Sequence, residues 1–289
     1  MRIKILLIPI LILAMVSMAC GFTINLPQVK TIDTGPTITE DIVVPKPDTT
    51  STPTLEINFG AGELTINPGA QANLVEGTAT YNVPDLKPTV VQNGSTVTLR
   101  QGTGNISGIP TLNNKLVMKW DLQLSSDPME LAINGGANQS QVELGGLSLT
   151  NLTINQGAAD SRYEFSEPNL VNMGSLKVNA GAANINLIGL SNANVTDEII
   201  FKGGAGNYTL DFSGELQHDV DVTIEAGLGN MNILVPEGTS VTLNMTGALN
   251  NVNYSGGWQK TGDTYSQVGS GPQITIDITM GAGNLDLHN

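Results

Sequence analysis

The feature that most constrains this chain is a small-residue corner, Gly-Ala or similar, that recurs with the same apolar residues on either side. Taking the first glycine of each corner as zero, apolar side chains fall at −5, −3, +4 and +6. Around Gly181 they are Leu176, Val178, Ile185 and Leu187, and around Gly281 they are Ile276, Ile278, Leu285 and Leu287. Gly60, Gly204 and Gly227 carry the full pattern, and Gly136 and Gly157 carry it with Ser140 and Ser161 at +4. One further copy centres on Ala248, with Leu243, Met245, Val252 and Tyr254. From residue 136 onward the spacings are 21, 24, 23, 23, 21 and 33.

Alternation on both sides of a glycine-containing corner reads as strand, turn, strand, with one face buried and one wet. The intervening positions agree: Thr223 and Glu225, or Asp277 and Thr279, stand at −4 and −2. At the corners the glycines are expected to supply backbone angles that a β-carbon resists. A period of 20–24 residues is that of stacked coils, each burying its apolar row against its neighbours. The fold class predicted is all-β, a β-solenoid or a stack of β-arches. Aromatic residues are only 4% of the chain, so the core must come from Leu, Ile and Val. The spacing of 33 contains Gly256, Gly257, Trp258 and Tyr265, which read as an inserted hairpin whose Trp covers the open end of the stack. A Trp stacking on a sugar is the other reading. Trp120 lies in an alternating strand and is assigned to the core.

The N-terminus is an address label. Arg2 and Lys4 precede an uninterrupted apolar run from Ile5 to Val16, and Ser17-Met18-Ala19 offers small residues where a signal peptidase reads them. The run is shorter than the ~20 residues of a spanning helix. The only Cys of the chain, Cys20, follows the expected cut. The segment resembles a bacterial lipobox, which implies a lipid on Cys20; plain secretion by cleavage at the same bond is the alternative. From residue 20 to residue 54 the chain is Thr- and Pro-rich and suits an extended tether, in which Ile38 to Val44 could add an edge strand.

Chemistry is sparse. No nucleophile elbow, phosphate loop or His-Glu-x-x-His helix is present. The corner glycines lead into strands rather than helix N-termini, which argues against phosphate binding. One Cys and two His, His218 and His288, exclude disulfide scaffolds and zinc fingers. Without Arg2 and Lys4, ten cations face 26 anions, a formal charge of −16, which argues against nucleic acid and anionic lipid. No catalytic residue, metal site or cofactor is assigned.

One polar pattern stands out. Position +3 is Asn in five copies: Asn184, Asn207, Asn230, Asn251 and Asn284. Position +5 in the same copies is Asn186, Thr209, Asn232, Asn253 and Asp286. Strand parity points both rows outward. Either the stacked amides bond one another as a structural ladder, or they form a flat recognition face for a repetitive ligand such as a glycan.

A resemblance can then be stated. Leu55-Glu-Ile-Asn-Phe-Gly-Ala-Gly-Glu-Leu-Thr-Ile66, followed by Val75-Glu-Gly-Thr-Ala-Thr-Tyr81, looks like the opening of the toast-rack family of bacterial envelope proteins. Trp120-Asp-Leu-Gln-Leu124, Leu131-Ala-Ile-Asn-Gly-Gly-Ala137 and Leu144-Gly-Gly-Leu-Ser-Leu149 continue it. The ending, from Gly257-Trp258 to Gly281-Ala-Gly283, is similar to the C-terminal domain of the envelope-stress protein LiaF and to adhesin-like solenoids. The resemblance implies a fold and carries no catalytic residues.

The organisation expected is a lipoprotein signal peptide over 1–19, a tether over 20–54, a toast-rack-like β region over 55–130 and solenoid repeats with a terminal cap over 131–289. The function expected is a lipid-anchored, non-enzymatic binding or structural module on the outer face of a bacterial membrane, its partner an envelope glycan or a membrane protein. The alternative is an envelope-stress sensor.

Overall fold

A computed structural model describes residues 34–103, 116–247 and 251–289. The signal segment and Cys20 lie outside the described residues. In chain order the strands are β1 (Ile38–Val44), β2 (Thr54–Ala70), β3 (Val75–Tyr81), β4 (Thr89–Asn93), β5 (Thr96–Arg100), β6 (Met118–Ser125), β7 (Met129–Glu143), β8 (Leu149–Glu164), β9 (Met173–Ile188), β10 (Val195–Asp211), β11 (Val220–Leu234), β12 (Ser240–Gly247), β13 (Asn251–Tyr254), β14 (Gln259–Thr261), β15 (Thr264–Gln267) and β16 (Gln273–His288). All sixteen belong to one sheet. The described fold is all-β and solenoid-like, with two short 3-10 helices at Pro84–Leu86 and Leu190–Ala193.

Each repeat forms one continuous bent strand rather than two strands joined by a turn. Seven such rungs, β2, β7, β8, β9, β10, β11 and β16, are 15 to 17 residues long and pair in parallel. Register is held on both sides of the bend, where Phe201 faces Ile224 and Tyr208 faces Met231. Parity flips across the bend, so −5 and −3 on one arm and +4 and +6 on the other turn the same way. Leu176, Val178, Ile185 and Leu187 are all buried, as are Ile276, Ile278, Leu285 and Leu287. Burying each such side chain contributes roughly 1.5–3 kcal/mol, so the four apolar rows stabilise the stack along its length.

Glycine at zero is required by contact, while the backbone angles expected of the corner fall on other glycines. A β-carbon on Gly204 would stand 2.5 Å from the carbonyl oxygen of Gly181 in the next rung, and one on Gly227 would stand 2.6 Å from that of Gly204. Left-handed angles occur two residues further on, with φ of 125° at Gly62, 142° at Gly229 and 140° at Gly283.

Order in the stack departs from order in the chain. The last strand, β16, lies against β11, while β12 and β13 cover the two arms of β16 from outside. The opening strand of the stack does the same: β2 lies against β7, and β5 and β6 cover its two arms. Both ends are then closed by antiparallel strands, β3 and β1 on β6, β4 on β5, and β15 and β14 on β12. Strand β1, at one edge, falls within the 20–54 stretch.

The ends also show how interrupted rungs are satisfied. At Gly60 the buried Gln101 side chain accepts from the Gly60 and Ala61 amides at 2.8 and 3.1 Å. At the other end β14 and β15 form the inserted hairpin. Trp258 beside it is 4% exposed and donates its indole N–H to the His288 carbonyl at 3.2 Å. Trp120 is buried against Phe59, ring centres 5.1 Å apart.

Candidate functional site: amide ladders and a groove along the stack

Parallel pairing in register places equal positions of successive rungs in rows, one strand spacing apart. On the second arm, Asn284 donates its side-chain amide to Asn230 at 2.9 Å, Asn230 to Asn207 at 2.8 Å, and Asn207 to Asn184 at 3.0 Å. Four of the five asparagines at +3 thus form one hydrogen-bonded ladder. The fifth, Asn251, faces Asn284 in register but turns its amide to Asn253 at 3.0 Å. Asn253 in turn donates to Asp286 at 2.7 Å. The swap of β16 and β13 in the stack explains why Asn284 precedes Asn251 in the row.

A second ladder, at −2 on the first arm, went unnoticed in the sequence. Asn179 donates to Asn155 at 2.8 Å, Asn155 to Asn134 at 2.7 Å, and Asn134 to Asn58 at 2.7 Å. The signal was available, since the alignment that gives the +3 row also gives Asn at −2 in four copies. Beyond Asn179 the same row continues as Lys202 and Glu225, paired at 3.1 Å, and Thr279, which meets Thr246 at 2.7 Å. Both amide ladders run in one direction, each donor lying nearer the C-terminal end of the stack than its acceptor.

The −2 row walls a groove of about 910 Å³ that crosses β7, β8, β9, β10, β11 and β16. At one strand spacing per rung the groove runs about 24 Å along the stack. Its floor is the corner itself, Gly135, Gly157, Gly181, Gly204 and Gly227 with Ala180 and Ala226. The contacts that forbid β-carbons at zero are therefore also what keeps this floor bare. No aromatic side chain lines it.

Beneath the floor the core turns polar. The buried Gln156 accepts from the Asn138 amide at 2.8 Å and donates to the Tyr163 hydroxyl, while Ser140 donates to Asn138 at 2.5 Å. Burial pushes the Tyr163 hydroxyl well above the usual tyrosine range, so it stays protonated. Ser140, one of the two small residues at +4, is part of this network. The Ser161 hydroxyl is buried beside that of Tyr163. At Gly203 the floor is backed by the ring of Tyr208, which would lie 2.7 Å from a β-carbon there.

Among the described residues no group of three or more His, Cys, Asp or Glu could hold a metal ion. His218 is exposed, and the half-buried His288 ring meets Ser255 at 3.4 Å. What the arrangement offers is a row of fixed hydrogen-bonding groups beside a flat floor.

Several solved bacterial structures are similar to this chain over most of their length. One is a candidate cell adhesion protein from Clostridium sporogenes, 21% identical, covering 88% of this chain and 99% of that one, with a TM-score of 0.47. Another is a candidate adhesin from Parabacteroides distasonis, 12% identical, covering 88% and 97%, with a TM-score of 0.37. A candidate lipid-binding protein from Parabacteroides distasonis is 12% identical, covering 89% and 99%, with a TM-score of 0.34. No curated protein matches the chain. The family model described as the N-terminal domain of toast_rack, DUF2154, matches residues 33–188 and again 169–234. Two overlapping matches of one model are what a repeated rung produces. The ending likened to LiaF lies beyond them. With more than half of its length matched, the chain belongs to the toast_rack N-terminal-domain family.

Proposed function

We propose that this protein is a non-enzymatic binding module of the bacterial envelope, held to the outer face of the membrane by a lipid on Cys20, with an extended envelope polymer lying in the groove. The groove carries the reading. It is open, long and shallow, and the same group recurs along it at rung spacing in Asn134, Asn155 and Asn179. A linear repeating ligand matches that repetition and a compact metabolite does not. The signal-like segment, the lone Cys20 and the Pro-rich stretch after it support an anchored, extracytoplasmic setting. Among the described residues no helix is long and apolar enough to cross a membrane.

Cosedimentation with insoluble envelope polysaccharide tests the binding half of the reading. The protein should pellet with it, and Asn155→Ala combined with Asn179→Ala should stay in solution while melting as a folded protein. Failure of the parent protein to pellet with any envelope fraction would sink the reading. The anchor is tested separately: Cys20→Ala should move the protein from membranes to the medium.

A further inference from the structure

We infer that the ligand of the groove is a neutral linear glycan bearing acetamido groups, laid along the stack at about one sugar per rung; this rests on the reading of the groove as the binding face. Charge argues for neutrality. Only Lys202 and Glu225 among the lining side chains are charged, and they pair with each other at 3.1 Å. The groove therefore has no free cation to hold a polyanion, and the chain around it carries a formal charge of −14, which repels one.

Hydrogen bonding argues for the acetamido group. An interior ladder residue such as Asn155 donates one N–H to Asn134 and accepts one from Asn179. A carboxamide has two N–H donors and an oxygen with two lone pairs, so one of each remains for a ligand. A ligand amide presents a donor and an acceptor separated in the same flat geometry with which these side chains already bond one another. A single sugar hydroxyl carries both functions on one atom, so a plain sugar must use two neighbouring hydroxyls where one acetamido group suffices. The acetamido methyl has a place as well, on the bare glycine floor at Gly157 and Gly181.

The absent aromatic platform sets the affinity. Without ring stacking each rung contributes only weak polar contacts, so binding must accumulate over several rungs held in register. Length dependence is then a signature of the mode.

The test titrates the whole protein with β-1,4-linked N-acetylglucosamine oligomers from dimer to hexamer, with the glucose hexamer of the same linkage, and with polygalacturonate. Affinity should rise with oligomer length, chiefly with every second sugar, because successive β-1,4-linked units turn their acetamido groups to opposite sides. The acetamido hexamer should bind at least about tenfold more tightly than the glucose hexamer, a difference of about 1.4 kcal/mol. Added salt should change this little, and Asn155→Ala with Asn179→Ala should erase the preference. Equal binding of the two hexamers, or salt-sensitive preference for polygalacturonate, would overturn the inference. So would binding to none of them while insoluble envelope polysaccharide still retains the protein. If that material fails to retain it too, the underlying reading falls as well.

Discussion

Asn207 donates its side-chain amide to Asn184 across 3.0 Å and accepts the amide of Asn230 at 2.8 Å. One exposed residue thus ties three rungs together. Asn207→Ala removes both bonds, each worth roughly 0.5–1.5 kcal/mol, with the low end expected at an exposed site. Thermal melting should fall by a few degrees. Asn251→Ala, which loses only the bond to Asn253, should cost less. Equal losses at the two positions would mean that the ladder bonds add nothing to stability.

Leu210 and Thr209 test the strand register. Leu210 is buried at +6, and an uncompensated carboxylate there costs several kcal/mol. Leu210→Asp should therefore unfold the stack or leave it barely stable. Thr209→Asp, on the outward row, should stay within about ±0.5 kcal/mol. Similar melting of the two variants would show that the arms face the other way.

The apolar rows were legible because they repeat with strand parity through seven corners, and Leu176, Val178, Ile185 and Leu187 already describe the core. Continuity of each rung was hidden, since Gly-Ala reads locally as a turn. Only the neighbouring carbonyl, which no sequence window contains, shows why the glycine is there. The order of β16, β12 and β13 was equally hidden, because a 33-residue spacing does not say whether the extra residues sit inside the stack or outside it. Asn134, Asn155 and Asn179 were visible as letters. Their importance comes from the groove, which is a property of adjacent rungs. Ser140 and Ser161 looked like lapses in the pattern until Ser140 was seen to join the network of Gln156 and Tyr163, and Ser161 to lie beside it.

Gly204→Ala isolates the corner contact. The new β-carbon would meet the Gly181 carbonyl at 2.5 Å, and two backbones in register have little room to part. Such overpacking costs about 1–3 kcal/mol. Ala205→Gly, at the exposed neighbour, should cost about 1 kcal/mol or less, through backbone entropy alone. If Gly204→Ala melts with the parent protein, the close approach of the corners is incorrect.

The edge strand adds a pH dependence. Lys87, through a hydrogen bond and ion pair at 2.8 Å, and the Tyr81 hydroxyl together hold the Glu40 carboxyl below its ordinary range. A carboxyl with a lowered folded pKa adds stability at neutral pH, and that stability is lost as pH falls through the folded value. Docking of β1 on β3 should therefore weaken in acid. Lys87→Ala should be slightly less stable at pH 7 and lose less on acidification, read by amide exchange in β1. An unchanged acid response would assign the effect to other groups.

The central claim is that the groove on the first arm is the binding face. Its most direct test fills that groove without touching the other arm. Asn155→Met places a longer, non-aromatic side chain on the groove wall, and Asn207→Met places the same side chain on the outward row of the second arm. Both variants, checked for folding by melting, are compared with the parent protein for retention by insoluble envelope polysaccharide. Asn155→Met should be released while Asn207→Met is retained like the parent. Retention of both, or release of Asn207→Met alone, would contradict the reading and move the binding face off the groove.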